Sequence, residues 1–489
     1  MPDADLARRY LGEAIKQMGG DSSLRALKRI RFEAIGHREM IEQSERPEGP
    51  YVVEYDHRIL QWRDLQNVRW RQAMDMNSGP SFNTTIDTVV SDGFAKKSFA
   101  GQVRGGSPDD LQAAQETLEL GPERGLYTAL AADDVRLEAD EMLQGVPHHV
   151  VAFTWRDLPV RLHLNSYTAL PTEVEWQSAY PWNTFWSAWG DVTTRLYYSL
   201  WWLGPGGIHY PMQWDFTRND LPDGSLTITK IEVNGDFPRD SFTILSDEKA
   251  AFETRRETLD ERPLGLVPQP AIEVAKDIVQ IAGAWNVTLV RQTDGIVIVE
   301  APISSGNSVK VLAEANRRWP GVPVKAVIST SDAWPHVAGV REYVARGIPI
   351  YALDLNIPIL SRLVAARRTR FPDALARAPR TLESRVVAGR TTIGSGPNRL
   401  EIYPLRGETS ERQMMVYFPE RKLLYGSDAF QRDDRGYTFP QTVWEVVQAV
   451  HEHKLSVDTF FMMHIGPAPW SELSETIDKA EMSVPGGPS

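Results

Sequence analysis

The chain has 489 residues, 42% of them hydrophobic and 24% charged, with a net charge of −12 and no cysteine. That length exceeds one core and implies two domains, or three, of an ordinary soluble globular kind. The acidic balance excludes a general nucleic-acid binder and is the wrong sign for an anionic membrane surface. Without cysteine there are no disulfides, thiolate zinc sites or thiol nucleophiles, so any metal must rest on histidine and carboxylate.

The opening Met1-Pro2-Asp3-Ala4-Asp5 lacks the basic start and apolar run of a signal peptide. No apolar stretch approaches the roughly 18 residues of a membrane span. The compartment stays open: cytoplasmic, or periplasmic if a leader has been removed. Leu6, Tyr10, Leu11, Ala14, Ile15 and Met18 recur at helical spacing, and Gly19-Gly20 ends that helix. Asp21 or Ser22 caps a second short helix, Leu24 to Arg29, which leads into a strand from Ile30 to Ala34.

The period then changes to two. Val151, Phe153 and Trp155 share one face, as do Val160, Leu162 and Leu164, which predicts a large, mostly antiparallel sheet. Trp182, Phe185, Trp186 and Trp189 return to helical spacing, with Tyr197, Tyr198, Trp201 and Trp202 close behind. Such rings fill a sheet core or a domain interface, or line a pocket for an apolar ligand. His148, His149, His163 and His209 have no ligand spacing and read as structural. The order of helix and then meander, with a short helix feeding the first strand, resembles the exported lipoprotein-carrier type of fold. Leu259 to Pro263 and Pro268-Gln269-Pro270 form a linker. The expected domains are therefore 1–260, β-rich and aromatic with some helices, and 271–489.

In the second half, Asn286 to Val290 and Gly295 to Val299 read as two strands joined by Gln292-Thr293-Asp294-Gly295. A helix carrying Val309, Leu312 and Ala313 follows, then a buried strand, Val324 to Thr330, running into Ser331-Asp332-Ala333-Trp334-Pro335-His336-Val337-Ala338-Gly339. Later come Met415 to Asp428, a strand, turn and strand ending in an aspartate, and Phe460-Phe461-Met462-Met463-His464-Ile465-Gly466.

Those landmarks, in that order, resemble metallo-β-lactamase-fold hydrolases over roughly residues 271 to 480. The resemblance implies an α+β chain whose C-terminal domain is an αββα sandwich. In the family, the strand before the site is followed by Thr-His-x-His-x-Asp-His-x-Gly-Gly. Here Ser331 and Ala333 stand at the first two histidine positions, Pro335 at the aspartate, and only His336 is kept. Glu408 stands where a later histidine is usual, Asp428 at the bridging aspartate and His464 at the last histidine. One of the family's two metal positions is thereby lost, and the other keeps three of its four ligands.

Two imidazoles and a carboxylate suit one divalent ion, zinc first, with iron or manganese as alternatives, and leave room for a water. Asp332 and Glu408 are the candidate catalytic groups, as general base or as an added ligand. Three readings follow. The first is a single-metal hydrolase of an ester, lactone or amide. The second is a metal-free acid–base enzyme in the same cleft, using Asp332, His336 and Glu408. The third is a non-catalytic binding protein in which the aromatic N-terminal half supplies the pocket. The first leads, because the retained residues map onto most of one side of the family's site. The partner expected is a small-molecule substrate, and the aromatic content suggests an apolar group on it. A basic stretch including Arg362, Arg367, Arg368, Arg370, Arg377, Arg380, Arg385 and Arg390 either faces an anionic substrate or pairs with the protein's own acids; Arg432 and Tyr437 follow Asp428 in a polar loop.

Overall fold

The computed structural model describes residues 2–41, 49–78, 82–204, 207–266, 271–433, 436–437 and 440–482. Pro268-Gln269-Pro270 of the expected linker lies outside them. The chain divides into two compact units, which part between Glu257 and Thr258. The division is not a single cut, however. Asn183–Gly190 leaves the N-terminal sheet and belongs to the C-terminal unit. The contiguous first domain, 1–260, expected from the sequence is therefore interrupted, because Trp186 and Trp189 pack on Trp334.

The N-terminal unit is built on a fourteen-stranded antiparallel sheet. Its first long strand, Arg29–Glu39, pairs on one side with Val53–Asp64 and on the other with the last strand, Leu221–Val233. Two meanders run outward from that seam. The helices Pro2–Gln17, Pro108–Leu120 and Gly125–Ala131 supply Leu11, Ala14, Leu118 and Leu126 to a core shared with Phe153, Val160, Leu162 and Trp214 of the sheet. The helix Pro108–Leu120 starts where physical chemistry favours a start: Pro108 takes the first turn, and Ser107 and Asp110 form a reciprocal capping box.

One aromatic detail sharpens the sequence expectation of helical spacing at Trp182 to Trp189. Trp186–Trp189 is one turn of 3-10 helix, and Tyr197 to Trp202 lie in the strand Asp191–Leu203. Spacing of three or four residues cannot tell a single turn from a long helix.

In the C-terminal unit two sheets face each other. The first has seven strands, from Ile272–Ala275 to Ser384–Val387, and turns from antiparallel to parallel at Gly295–Val299. The second has six, from Thr391–Ile393 to Ala468–Pro469. Val297, Val299, Ile328 and Leu353 of the first meet Ile402, Val416, Phe418 and Phe461 of the second, all fully or nearly fully buried. Outside the second sheet, Val443, Val446 and Val450 of the helix Pro440–Glu452 and Leu473 of Ser471–Met482 cover Tyr403, Met415 and Leu424. The helix Ser305–Arg318 buries Val311 and Ala315 and, through Ser308 Oγ to Gly339 O (2.9 Å), is tied to the turn before Val340–Ala345. The unit is thus an αββα sandwich. Parallel neighbours in each sheet bring several strand ends to the same edge, which is where such folds place their sites.

Candidate metal centre

Three strand ends carry the site. His336 lies in the short helix Trp334–Val337 that follows Val324–Ser329; Asp428 follows Leu423–Tyr425, and His464 follows Thr459–Phe461. The last two strands are parallel neighbours, so their exits lie side by side. One ligand atom from each of His336, Asp428 and His464 lies within 4.8 Å of the others. His464 Nε2 is 2.8 Å from Asp428 Oδ1, and His336 Nε2 is 3.6 Å from Asp428 Oδ2. Trp285 stands edge-on to both imidazoles, 6.2 Å from each ring centre.

Buried amides hold these exits in place. Gln280, fully buried, donates to Met462 O (2.9 Å) and Ile465 O (3.2 Å), clamping the loop that bears His464. Asn286 Nδ2 adds a bond to Met462 O (3.2 Å). Met463 N donates to Ser427 O (3.1 Å), joining that loop to the Asp428 turn. His464 Nδ1 lies 3.0 Å from the carbonyl of Ala284, which can only accept. Nδ1 therefore carries the proton, and in the neutral ring the Nε2 lone pair faces the carboxylate. A lone pair 2.8 Å from an anionic oxygen needs a cation there, either a second ring proton or a metal.

His336 has a different environment. Burial holds its imidazole down to about 4, against the opposing pull of Asp428, and His464 adds to the lowering. It is therefore neutral at physiological pH, the form that binds metal. Its Nδ1 is buried and makes no hydrogen bond. The donor set fits one divalent ion of the nitrogen-and-oxygen-binding kind.

The other sequence candidates are placed differently. Asp332 is buried, in the turn between the strand and the His336 helix. Ser331 is buried and its hydroxyl accepts from Ala333 N at 3.2 Å. Glu408 is exposed in the turn after Leu400–Pro404 and is not one of the three converging residues. That turn is held by Glu445, which accepts from Thr409 N (3.1 Å), Thr409 Oγ1 (3.0 Å) and Ser410 Oγ. The basic stretch turns inward on the protein's own acceptors: Arg368 donates to Ser187 O and Ala188 O, Arg390 to Glu401, and Arg377 to Pro372 O. Arg432 pairs with Glu472 at 3.0 Å. In the N-terminal unit, His148 bonds Val146 O and Thr172 Oγ1, and His163 faces Glu173 at 3.3 Å.

Sequence reasoning missed Glu300. It directly follows the strand Gly295–Val299, is fully buried, and accepts from Thr330 Oγ1 and from Tyr425 OH (3.1 Å). Burial raises its carboxyl to about 8; the bonds from Thr330 and Tyr425 oppose this and the charge of Asp428 reinforces it. Thr330 Oγ1 also lies 2.7 Å from Ser427 Oγ, so a polar chain crosses beneath the site between the two sheets. An acid directly after four buried apolar residues, at the end of a strand, was the available signal. The second omission is the packing of Trp334, which is buried between Trp186 (4.9 Å, near perpendicular) and Trp189 (5.0 Å).

No family model matches the chain, and no curated protein is similar to it in sequence. Among solved structures it is similar to the DIM-1 metallo-β-lactamase, at 15% identity and TM-score 0.35 over 44% of this chain and 98% of that one. It is similar to a metallo-β-lactamase from Hirschia baltica, at 15% identity and TM-score 0.33 over 44% and 97%. The stereoselective inverting sec-alkylsulfatase Pisa1 from Pseudomonas sp. matches at 15% identity and TM-score 0.33 over 45% of this chain, which spans only 42% of that enzyme. In its layers the C-terminal unit is a metallo-β-lactamase-like αββα sandwich.

Proposed function

We propose that the C-terminal unit is a hydrolase of an ester, lactone or amide that works with one divalent ion held by His336, Asp428 and His464. The observation that carries this reading is their convergence: three ligand atoms within 4.8 Å, on strand exits tied together by Gln280, Asn286 and Ser427. When bound, such an ion supplies Lewis-acid polarisation and lowers the pKa of a coordinated water.

The chain's own residues supply the rest. Ala284 O fixes the tautomer of His464, so that its Nε2 faces Asp428. Burial keeps His336 unprotonated through the physiological range. We assign proton transfer to Asp332, which is buried in the turn four residues before His336. Glu408 is the other sequence candidate, and its exposure in a turn held by Glu445 favours Asp332. Zinc is the ion we expect, with iron and manganese as alternatives, and the substrate is a small molecule.

Elemental analysis of tag-free protein purified without added metal tests the reading, together with a chelator series on a panel of aryl esters and lactones. About one ion per chain is expected, lost in His336→Ala and His464→Ala, with turnover abolished by chelation and restored by zinc. Full turnover in metal-free protein would sink the metal-dependent reading. Chelator-insensitive turnover that collapses in Asp332→Asn would replace it with acid–base catalysis in the same cleft.

A further inference from the structure

The N-terminal unit contains a cavity of about 300 Å³ between the sheet and the helix Pro108–Leu120. Its wall includes Ile59, Met74, Trp176, Leu196 and Phe216, which are aliphatic or aromatic. Among the polar side chains that also line it, Arg63 and Trp70 are the informative ones.

Arg63 is completely buried. Its Nη1 donates to both oxygens of Glu123 (2.9 and 3.1 Å), and its Nε to Gln61 Oε1 (2.6 Å). The guanidinium is sandwiched by Trp214 and Phe32, at 4.7 and 5.2 Å from their ring centres. Its position is thus fixed on every side, yet Nη2 is buried with no hydrogen-bond partner. Trp70 sits directly opposite Arg63 across the antiparallel pair Val53–Asp64 and Arg69–Ser78, so the two side chains share one face. Trp70 is 7% exposed, and its Nε1 is also buried without a partner.

A buried donor left without an acceptor is destabilising, and more so when it is charged. Two such donors, adjacent on one strand pair and lining one cavity, define a place where an acceptor belongs. Glu123 is already engaged elsewhere: both its oxygens accept from Arg63 Nη1, and Oε1 also accepts from Tyr210 OH (2.5 Å). The ionisable lining includes Arg38, Arg63 and Arg218, paired with Glu54, Glu123 and Asp223, and Glu116, held up to about 7 chiefly by burial. At roughly 30 Å³ per water-sized group, the volume holds about ten heavy atoms.

We propose that this cavity binds a small amphiphilic carboxylate, with its oxygens on Arg63 Nη2 and Trp70 Nε1 and its apolar body against Ile59, Met74, Trp176 and Phe216. The site lies wholly within the N-terminal unit and does not depend on the metal centre. A medium-chain monocarboxylate of eight carbons has the required size and charge.

Isothermal titration of the full chain with octanoate, 1-octanol and octylammonium, each below its aggregation limit, tests this. Octanoate is expected to bind one per chain and at least tenfold more tightly than the other two. Trp70→Phe keeps the ring and removes the donor, and should weaken octanoate about tenfold while leaving octanol unchanged. Ala113→Trp, at an exposed position of the lining helix, should block both acid and alcohol. Because it changes no core residue, it keeps the test valid even if Trp70→Phe folds poorly. Equal binding of octanoate and octanol, no saturable binding of octanoate, or octanoate binding untouched by Ala113→Trp would each overturn the proposal.

Discussion

Replacing His336 by glutamine tests the neutral, buried imidazole on which the proposed metal centre depends. Burial lowers this group from 6.5 to about 4 in the folded protein. The unfolded chain takes up a proton there below about pH 6.5, while the folded chain refuses it until about pH 4. Stability from this group is therefore fully present above pH 6.5 and is lost as the pH falls through 4. A gap of about 2.5 pH units, at about 1.4 kcal/mol each, makes the loss roughly 3 kcal/mol. His57 and His163 are also held near 4, chiefly by burial, so the wild type alone would mix three contributions. The difference between wild type and His336→Gln isolates one. Urea unfolding of chelator-treated protein between pH 7.5 and 4 should show the wild type losing about 3 kcal/mol relative to the variant. Added zinc at a hundred times its dissociation constant should stabilise the wild type at pH 7.5 by about 2.7 kcal/mol and the variant hardly at all. Parallel pH profiles for the two proteins would refute the burial argument. Equal stabilisation by zinc would remove His336 from the ligand set.

Trp186→Ala should destabilise the C-terminal unit by about 3–5 kcal/mol, because Trp334 loses a fully buried partner; the urea midpoint and the near-ultraviolet dichroism of the indoles report it. Glu116, raised from 4.5 to about 7 chiefly by burial, keeps its proton when folded and loses it when unfolded between those values. Wild-type stability should thus fall as pH rises from 4.5 to 7, and Glu116→Gln should be roughly 3 kcal/mol more stable than wild type at pH 8 but equal near pH 4. Asp373→Asn leaves the Arg341 guanidinium buried beside a neutral amide where it now has two bonds to a carboxylate (2.6 and 3.0 Å). About 3–5 kcal/mol should be lost, read as a lower thermal midpoint, and Asp373→Glu should recover part of it.

The parts of this protein that were legible in the sequence are the local ones. Each landmark of the C-terminal unit is a strand running into a short polar turn, so its position is set by neighbours in the chain. The resemblance to metallo-β-lactamase-fold hydrolases singled out His336, Asp428 and His464 on those landmarks, and they meet because strands exit at one edge. Glu300 was hidden by the opposite circumstance. Its role comes from Thr330 and Tyr425, 30 and 125 residues away, and a lone acid after an apolar run looks like the start of any loop. Trp186 and Trp189 were hidden by topology: they are flanked on both sides by strands of the N-terminal sheet, and nothing in their spacing says that they belong to the other unit. Glu408 was chosen by position within a motif, and the turn it occupies proves to be organised by a helix residue, Glu445, that no motif singled out.

Backbone strain offers a separate line on whether the C-terminal unit is a working site or only a scaffold. Glu300, Ile303 and Ser427 have φ of 80°, 75° and 60°, the left-handed region that side chains disfavour. Each costs about 1–2 kcal/mol and persists only where its surroundings over-determine it. Ser427 follows Leu423–Tyr425, a strand that bears the site, and Glu300 and Ile303 follow Gly295–Val299, the sheet neighbour of Val324–Ser329. Each is tied to the site's segments: Ile303 N donates to Pro335 O (2.7 Å), Glu300 N to Ile328 O (2.8 Å), and Ser427 Oγ to Thr330 O (3.2 Å). Ser427 immediately precedes Asp428, so its conformation sets the direction of that carboxylate. Ser427→Gly relieves the strain and removes the hydroxyl that anchors the turn. On the scaffold reading the change is neutral or stabilising and nothing else follows. On the metal-site reading the relaxed turn no longer fixes Asp428, and zinc affinity falls about tenfold or more while the fold holds. Competition with a chromogenic chelator measures that affinity, and an unchanged value in a stably folded variant would favour the scaffold.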